Sequence, residues 1–345
     1  MQIGILLSLT APRPGTGVAV GLDPNELTLN LIDGSYVASG SSYADIPAYI
    51  AGDPATFARS AAAFYEASTL TSVASGSPRV GSRGLLIEPS KTNLSLRSQE
   101  FDNVYWSSNG GTRTANAVVA PDGTTTAEQW VGSNSGNGVY GSGVSFTAGT
   151  TYTLSVFWKP ISGTASASIG IGGAAFNTGF GDRSLFITPS GGTPENFTEA
   201  TAYGVIPMAN GWYRAWVKFT ATATGVTDAV LYYGPDSGSK TWSFWGVQIE
   251  TGDLSSYIPT TSATVTRPAD DLVLSLPTGT TKLYVTLESG AVVLLSGLSA
   301  GNYSFPTNLA ERYIKGISNM NPVVVPAGTT AGEPVGLLLI LTKAA

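Results

Sequence analysis

Cysteine and histidine are both absent from this chain of 345 residues, and charged side chains make up only 12% of it. Without cysteine there are no disulfides and no thiol chemistry. Without histidine the commonest general base and the commonest zinc ligand disappear together. Ser-His-Asp and Cys-His arrangements and zinc hydrolases are therefore excluded, and a Ser-Lys pair has no motif around it. The net charge of -6, with no basic stripe, argues against nucleic acid as a partner. Long apolar runs are missing too: none approaches the roughly 20 residues of a spanning helix. Residues 3–9 are too short for a signal peptide, lack a basic start and run into Pro12 and Pro14. Residues 335–341 are equally short and read as a strand. What the chain has is 42 glycines and 20 prolines, a composition suited to many short strands joined by tight turns.

The densest stretch runs from residue 241 to 271. Simple alternation puts Ser243, Trp245, Val247 and Ile249 on one side of a strand and Trp242, Phe244, Gln248 and Glu250 on the other. Earlier, Tyr152, Leu154, Val156 and Trp158 alternate with Thr151, Thr153, Ser155 and Phe157, and Pro160 is expected to end that strand. In residues 212–219, Tyr213, Ala215, Val217 and Phe219 form a core face, while Trp212, Arg214, Trp216 and Lys218 share the other. Residues 166–172 and 228–233 add strands. Leu27, Leu29 and Leu31 mark one near the start, ending at an Asp33-Gly34 turn. That segment is too small for its own core, so it is expected to dock on a neighbouring protein or another copy. Residues 54–65 read as loop or strand rather than as a helix capped by Asp53. After Arg267-Pro268, residues 272–276, 282–288 and 291–295 read as strands, with a turn at Glu288-Ser289-Gly290, and residues 308–317 as one short helix. The expected fold is all-β: an antiparallel β-sandwich or jelly roll with an extended N-terminal segment and a small C-terminal β module. Its divisions are 1–90, 91–270 and 271–345.

Residues 84–94, running from Gly84-Leu85-Leu86-Ile87-Glu88-Pro89 to Thr92-Asn93-Leu94, resemble the opening of a module common in structural proteins of tailed bacteriophages. Ser98-Gln99-Glu100-Phe101 with Trp106, and Ala120-Pro121-Asp122-Gly123-Thr124, continue the likeness. It runs on through residues 149–159, Gly211-Trp212-Tyr213-Arg214 and residues 245–250. It ends with Ser256-Tyr257-Ile258-Pro259 and Thr266-Arg267-Pro268-Ala269-Asp270. The likeness covers about half the chain. It implies a jelly roll similar to carbohydrate-binding modules, carried on the virion surface, on tail or capsid. Implied partners are other virion proteins through the N-terminal segment, further copies in a homotrimer, and a host surface polysaccharide. Neither nucleic acid nor membrane insertion is expected. The first reading is a tail-fibre or tail-tip adhesin; the alternative is a capsid decoration or head-fibre protein, with a glycan depolymerase a distant third. No cofactor is required. Similar modules hold a structural calcium beside the first strand, which implies Glu100 and Glu250 as ligands.

Sugars stack on aromatic faces and are read at their edges by amides, carboxylates and arginine. Trp212, Arg214 and Trp216, helped by Trp242 or Tyr232, are the candidate platform. The competing reading is that these rings fill a second layer of the sandwich or a subunit interface, with Arg214 stacked on tryptophan. Loops at 132–138 and 177–182 are the other source of polar contacts. Asp182, Asp236, Glu195 and Glu199 raise the question of a glycosidase pair, but the sequence fixes no separation between them, and solvated loop charges are the simpler reading.

Overall fold

The computed structural model describes residues 24–32, 34–39, 41–52, 55–132, 138–162, 167–173, 184–187, 200–233 and 240–323. The described chain is all-β apart from a single α-helix, Ile46–Gly52, and a short 3-10 turn at Ala209–Gly211. Two antiparallel sheets face each other as a sandwich. The larger has six strands in the order Thr112–Val118, Ala127–Gly132, Lys240–Thr251, Thr151–Ser162, Tyr213–Thr220 and Ala200–Pro207. The smaller has five, in the order Trp106–Asn109, Gly138–Phe146, Gly225–Tyr233, Ala167–Gly173 and Ser184–Ile187. Between them Tyr152, Leu154, Val156 and Trp158 interdigitate with Ala215, Val217 and Phe219 from one sheet and Val139, Phe146 and Ile169 from the other. These are the faces that alternation predicts.

The strand Lys240–Thr251 departs from simple alternation. Trp242 and Phe244 point into the sandwich core, and so do Val247 and Ile249; Trp245 points out. The switch comes from a β-bulge. Gly246 adopts φ 64, and the pairing with the neighbouring strand slips between Ser155 and Phe157, so two residues oppose one and the faces exchange. Glycine is required there: a Cβ would lie 2.8 Å from the Phe157 ring in a backbone region that L-residues avoid. Pro160 does not end its strand, which continues to Ser162 with a second register shift between those two residues. A bulge absorbs the missing donor.

Strands from both ends of the chain form a second body. Its largest sheet runs Val292–Ser296, Lys282–Leu287, Tyr313–Ser318, Leu27–Asn30, Ser35–Ala38 and Ser41–Tyr43, with Gly84–Leu86 also paired to Tyr313–Ser318 and Arg79–Gly81 paired to Gly84–Leu86. A three-stranded sheet, Gly301–Ser304, Asp271–Leu276 and Thr56–Ala58, shares its core. The N-terminal leucines thus find an apolar partner in their own chain: Leu27, Leu29 and Leu31 pack with Leu274, Leu283, Val285 and Ile317. Residues 54–65 carry no described helix; Thr56–Ala58 and Ala63–Glu66 are strands, while Asp53 and Pro54 lie outside the described residues. The α-helix sits just before, capped by Asp45, whose Oδ1 accepts from the Ala48 amide at 2.7 Å. The helix expected over 308–317 is replaced by the strand Tyr313–Ser318, because that sheet needs Ile314 and Ile317 in its core. Residues 335–341 lie outside the described residues.

Candidate functional site

A buried charge network joins the two bodies, on the outer side of the six-stranded sheet. The Glu88 carboxylate meets Arg79 at 2.9 Å, Arg312 at 2.8 Å and Arg267 at 3.3 Å, and accepts from the Ser256 amide and hydroxyl at 2.8 and 2.6 Å. Asp270 takes Arg59 at 3.0 Å and Arg79 at 2.5 Å, and also accepts from the Glu88 amide at 2.9 Å. Glu66 takes Arg214 at 2.5 Å and the Tyr257 amide at 2.7 Å. Burial opposes the charge on Glu88, but Arg267, Arg312 and Arg79 overcome it and hold the carboxyl well below its ordinary range. Nearby, burial outweighs the hydrogen bonds from Ser255 and Gln248 and pushes Glu250 up. Above the network Phe157, Trp212, Trp245 and Tyr257 form a separate apolar layer.

This layer decides the fate of the expected platform. Trp212 is 1% exposed, its indole N–H donating to the Val119 carbonyl at 3.0 Å. Arg214 is also 1% exposed and is consumed by Glu66, the Ser255 carbonyl and Ser155, with its guanidinium 5.2 Å from the centre of the Phe157 ring. Trp242 lies on the opposite side of the sheet, inside the sandwich beside Trp130. Tyr232 belongs to the strand Gly225–Tyr233 of the other sheet, and its side chain lies outside what is described. So do loop residues 133–137 and 177–182, and with them Asp182, Glu195, Glu199 and Asp236. The five candidates do not form one surface. Filling a second layer is what Trp212 and Arg214 do, and the stacking partner of Arg214 is phenylalanine.

Trp216 is the exception. It stands opposite Gly204 on the edge strand. A Cβ at Gly204 would lie 2.7–2.9 Å from three atoms of the indole, so the ring lies flat across the bare backbone. It lines a cleft of about 650 Å³ between the sandwich and the second body, within the size range of small-molecule sites. On the sandwich side Tyr203, Lys218, Lys91 and Asp253 accompany it; on the other side are Arg83, Glu288, Asn308, Glu311, Arg312 and Tyr313. The charges are held in place. Lys218 bonds Asp253 at 2.5 Å and keeps its carboxyl low. The Lys91 ammonium donates to the Thr251 carbonyl at 2.5 Å. Arg83 grips Glu288 through two bonds of 2.5 and 2.6 Å while its guanidinium sits 3.8 Å from the centre of the Tyr313 ring. Glu311 accepts from the amide and hydroxyl of Ser289.

The calcium pair expected from the resemblance does not fit. Glu100 lines a different cavity and is bound to Arg97 at 2.6 Å. Glu250 is buried, with one oxygen accepting from Gln248 at 2.8 Å and from the Ser255 amide at 2.9 Å. The two carboxylates share no partner.

No family model matches the sequence, and no curated protein matches it. Among solved structures, the chain is similar to the CBM22-1 xylan-binding domain of Xyn10C from Paenibacillus barcinonensis, at 14% identity, 49% of this chain, 99% of that one and a TM-score of 0.32. It is also similar to the CBM22-1–GH10 modules of Xyn10B from Clostridium thermocellum in complex with xylohexaose, at 17% identity, 51% of this chain, 30% of that one and a TM-score of 0.29. A CBM4 structure is similar over 43% of this chain and 94% of its own, at 21% identity and a TM-score of 0.26. At such TM-scores the likeness carries no argument about ligands, and function rests on the cleft.

Proposed function

We propose that this chain is a non-catalytic glycan-binding protein whose saccharide lies in the cleft against Trp216. The observation that carries this reading is the indole pinned flat by Gly204, with the cleft on its free side. A flat aromatic face buries the C–H side of a sugar ring, and rigid paired polar groups at the rim read its hydroxyls without having to be ordered first. Four cations (Arg83, Lys91, Lys218, Arg312) meet four carboxylates (Glu88, Asp253, Glu288, Glu311) along the cleft, so its chemistry suits a neutral saccharide rather than a polyanion. Glycoside hydrolysis needs one carboxyl raised so that it can act as an acid. Glu88 and Asp253 are both lowered, and the raised carboxyls, Glu128 and Glu250, do not line the cleft.

The setting we propose, on the strength of the eight ordered motifs, is the surface of a tailed-phage particle, with the chain acting as a tail-fibre or tail-tip adhesin and assembling as a homotrimer. Glycan-array binding by the full chain tests the ligand: neutral oligosaccharides should bind, and Trp216→Ala should lose about tenfold or more in affinity. Binding restricted to anionic glycans, or unchanged in Trp216→Ala, would remove the cleft from the account. Immunogold labelling of particles tests the setting, and label confined to the capsid would replace the adhesin reading by a decoration protein.

A further inference from the structure

One edge of the second body's largest sheet is open among the described residues. The strand Val292–Ser296 pairs there only with Lys282–Leu287, and it carries neither charge nor proline. Sheets normally blunt their edges with charges, bulges, prolines or very short strands. Elsewhere this chain does so. Thr112–Val118 carries Arg113 and a register shift, Ala200–Pro207 ends in proline with a register shift of its own, and Ser41–Tyr43 is three residues long. Val292–Ser296 has no such device. Its Leu294 is 54% exposed, while Val293 and Leu295, on the other face, are only partly buried against the core.

The hairpin fixes which backbone groups face outward. The Leu287 amide donates to the Ala291 carbonyl at 2.8 Å. By antiparallel alternation Val293 and Leu295 then bond inward to Val285 and Leu283, and the N–H and C=O groups of Val292, Leu294 and Ser296 point to the open edge. Such a row is satisfied by another extended strand. We propose that it pairs with the same strand of a second copy, antiparallel about a two-fold axis at Leu294. That register sets Leu294 against its counterpart and Val292 against Ser296, with about six backbone hydrogen bonds and no like charges opposed. Tyr284, the cross-strand neighbour of Leu294, carries the apolar stripe on through both copies. The ends match as well. Lys282 lies at one end of the edge hairpin, and Glu288, with Glu311 bonded to Ser289, at the other; the two-fold axis brings opposite ends together. A strand pair of five residues stays below the roughly 1,200 Å² of stable interfaces, so the contact is micromolar at best. It is independent of the saccharide cleft, and being two-fold it links one trimer to another rather than building the trimer.

The test uses the full chain, which lacks cysteine, so Leu294→Cys introduces a single thiol. In the paired strands the two substituted positions would lie about 5.5 Å apart at their Cα atoms. A short bismaleimide should therefore convert Leu294→Cys largely to covalent dimers, while Val104→Cys, at a 99% exposed position of the sandwich, should stay uncoupled. In sedimentation velocity the unsubstituted chain should double its mass as concentration rises. Leu294→Lys and Leu294→Glu should each lose about tenfold or more in this association, and their equimolar mixture should regain it. Coupling of Leu294→Cys no greater than that of Val104→Cys, doubling undiminished in Leu294→Lys, or a mixture that pairs no better than its components would each overturn the proposal.

Discussion

Replacing Glu88 by glutamine tests the joint between the two bodies most severely. The side chain is fully buried and serves three guanidinium groups, from Arg79, Arg267 and Arg312, besides two donors of Ser256. Glutamine keeps the volume and one acceptor but removes the charge. Arg79 retains Asp270 and Arg312 retains a distant contact with Glu66 at 3.7 Å, while Arg267 keeps only backbone carbonyls, those of Pro89 and Pro268. Removing one member of a buried ion pair costs about 3–5 kcal/mol, because the charge left behind stays desolvated. Unfolding entropy of about 2.1 cal/mol/K per residue gives on the order of 0.7 kcal/mol/K for a chain of this length, so the midpoint should fall by about 4–7 °C if both bodies melt together. Differential scanning calorimetry reads the shift and also shows whether one transition becomes two, as loosening the joint would produce. A loss below about 1 kcal/mol would refute the reasoning, since that is the scale of an exposed pair.

Other outcomes follow from the same geometry. Gly246→Ala should cost about 2–4 kcal/mol in chemical denaturation, because the left-handed backbone and the Phe157 ring both oppose a methyl group. Gly204→Ala should leave the melting midpoint within a few degrees but weaken saccharide binding several-fold, since its Cβ displaces the Trp216 ring. With acid, stability should decline: Glu88 has a lowered pKa in the folded chain, so its contribution is complete above the unfolded carboxylate value and is lost as pH falls through the folded one. Glu250 has the opposite sign, its contribution fading as pH rises through its raised value. Glu250→Gln should therefore stabilise the chain at pH about 8 relative to about 4, measured by thermal melts across pH.

Strand faces were legible wherever a strand kept strict period two, as in Tyr152 to Trp158 and Tyr213 to Phe219. They were illegible at Gly246, because a bulge exchanges faces without changing the residue types around it. The pairing of Leu27–Asn30 with Tyr313–Ser318 joins segments nearly a whole chain apart, and no local signal announces it. The helix at Ile46–Gly52 is short and held by one aspartate cap, too little for periodicity to register. The motifs that carry the phage resemblance turn out to supply the buried joint: Glu88, Arg214, Ser256, Tyr257, Arg267 and Asp270 all belong to them. That explains why Arg214 misled. In a strand that alternates apolar and polar residues, a polar position normally faces water, and only the charges arriving from distant segments make this one an interior site. Trp216 was legible as part of an aromatic face, but its isolation from Trp212 and Trp242 was not, since it depends on what covers each ring.

The most direct measurement of the central claim is the indole N–H spectrum during titration with a neutral oligosaccharide. The seven tryptophans give separate resonances, assignable by single substitution. The account predicts that the Trp216 signal moves with ligand, while those of the buried Trp212 and Trp242 stay in place. A saturable shift centred on any other tryptophan, with Trp216 unmoved, would contradict it.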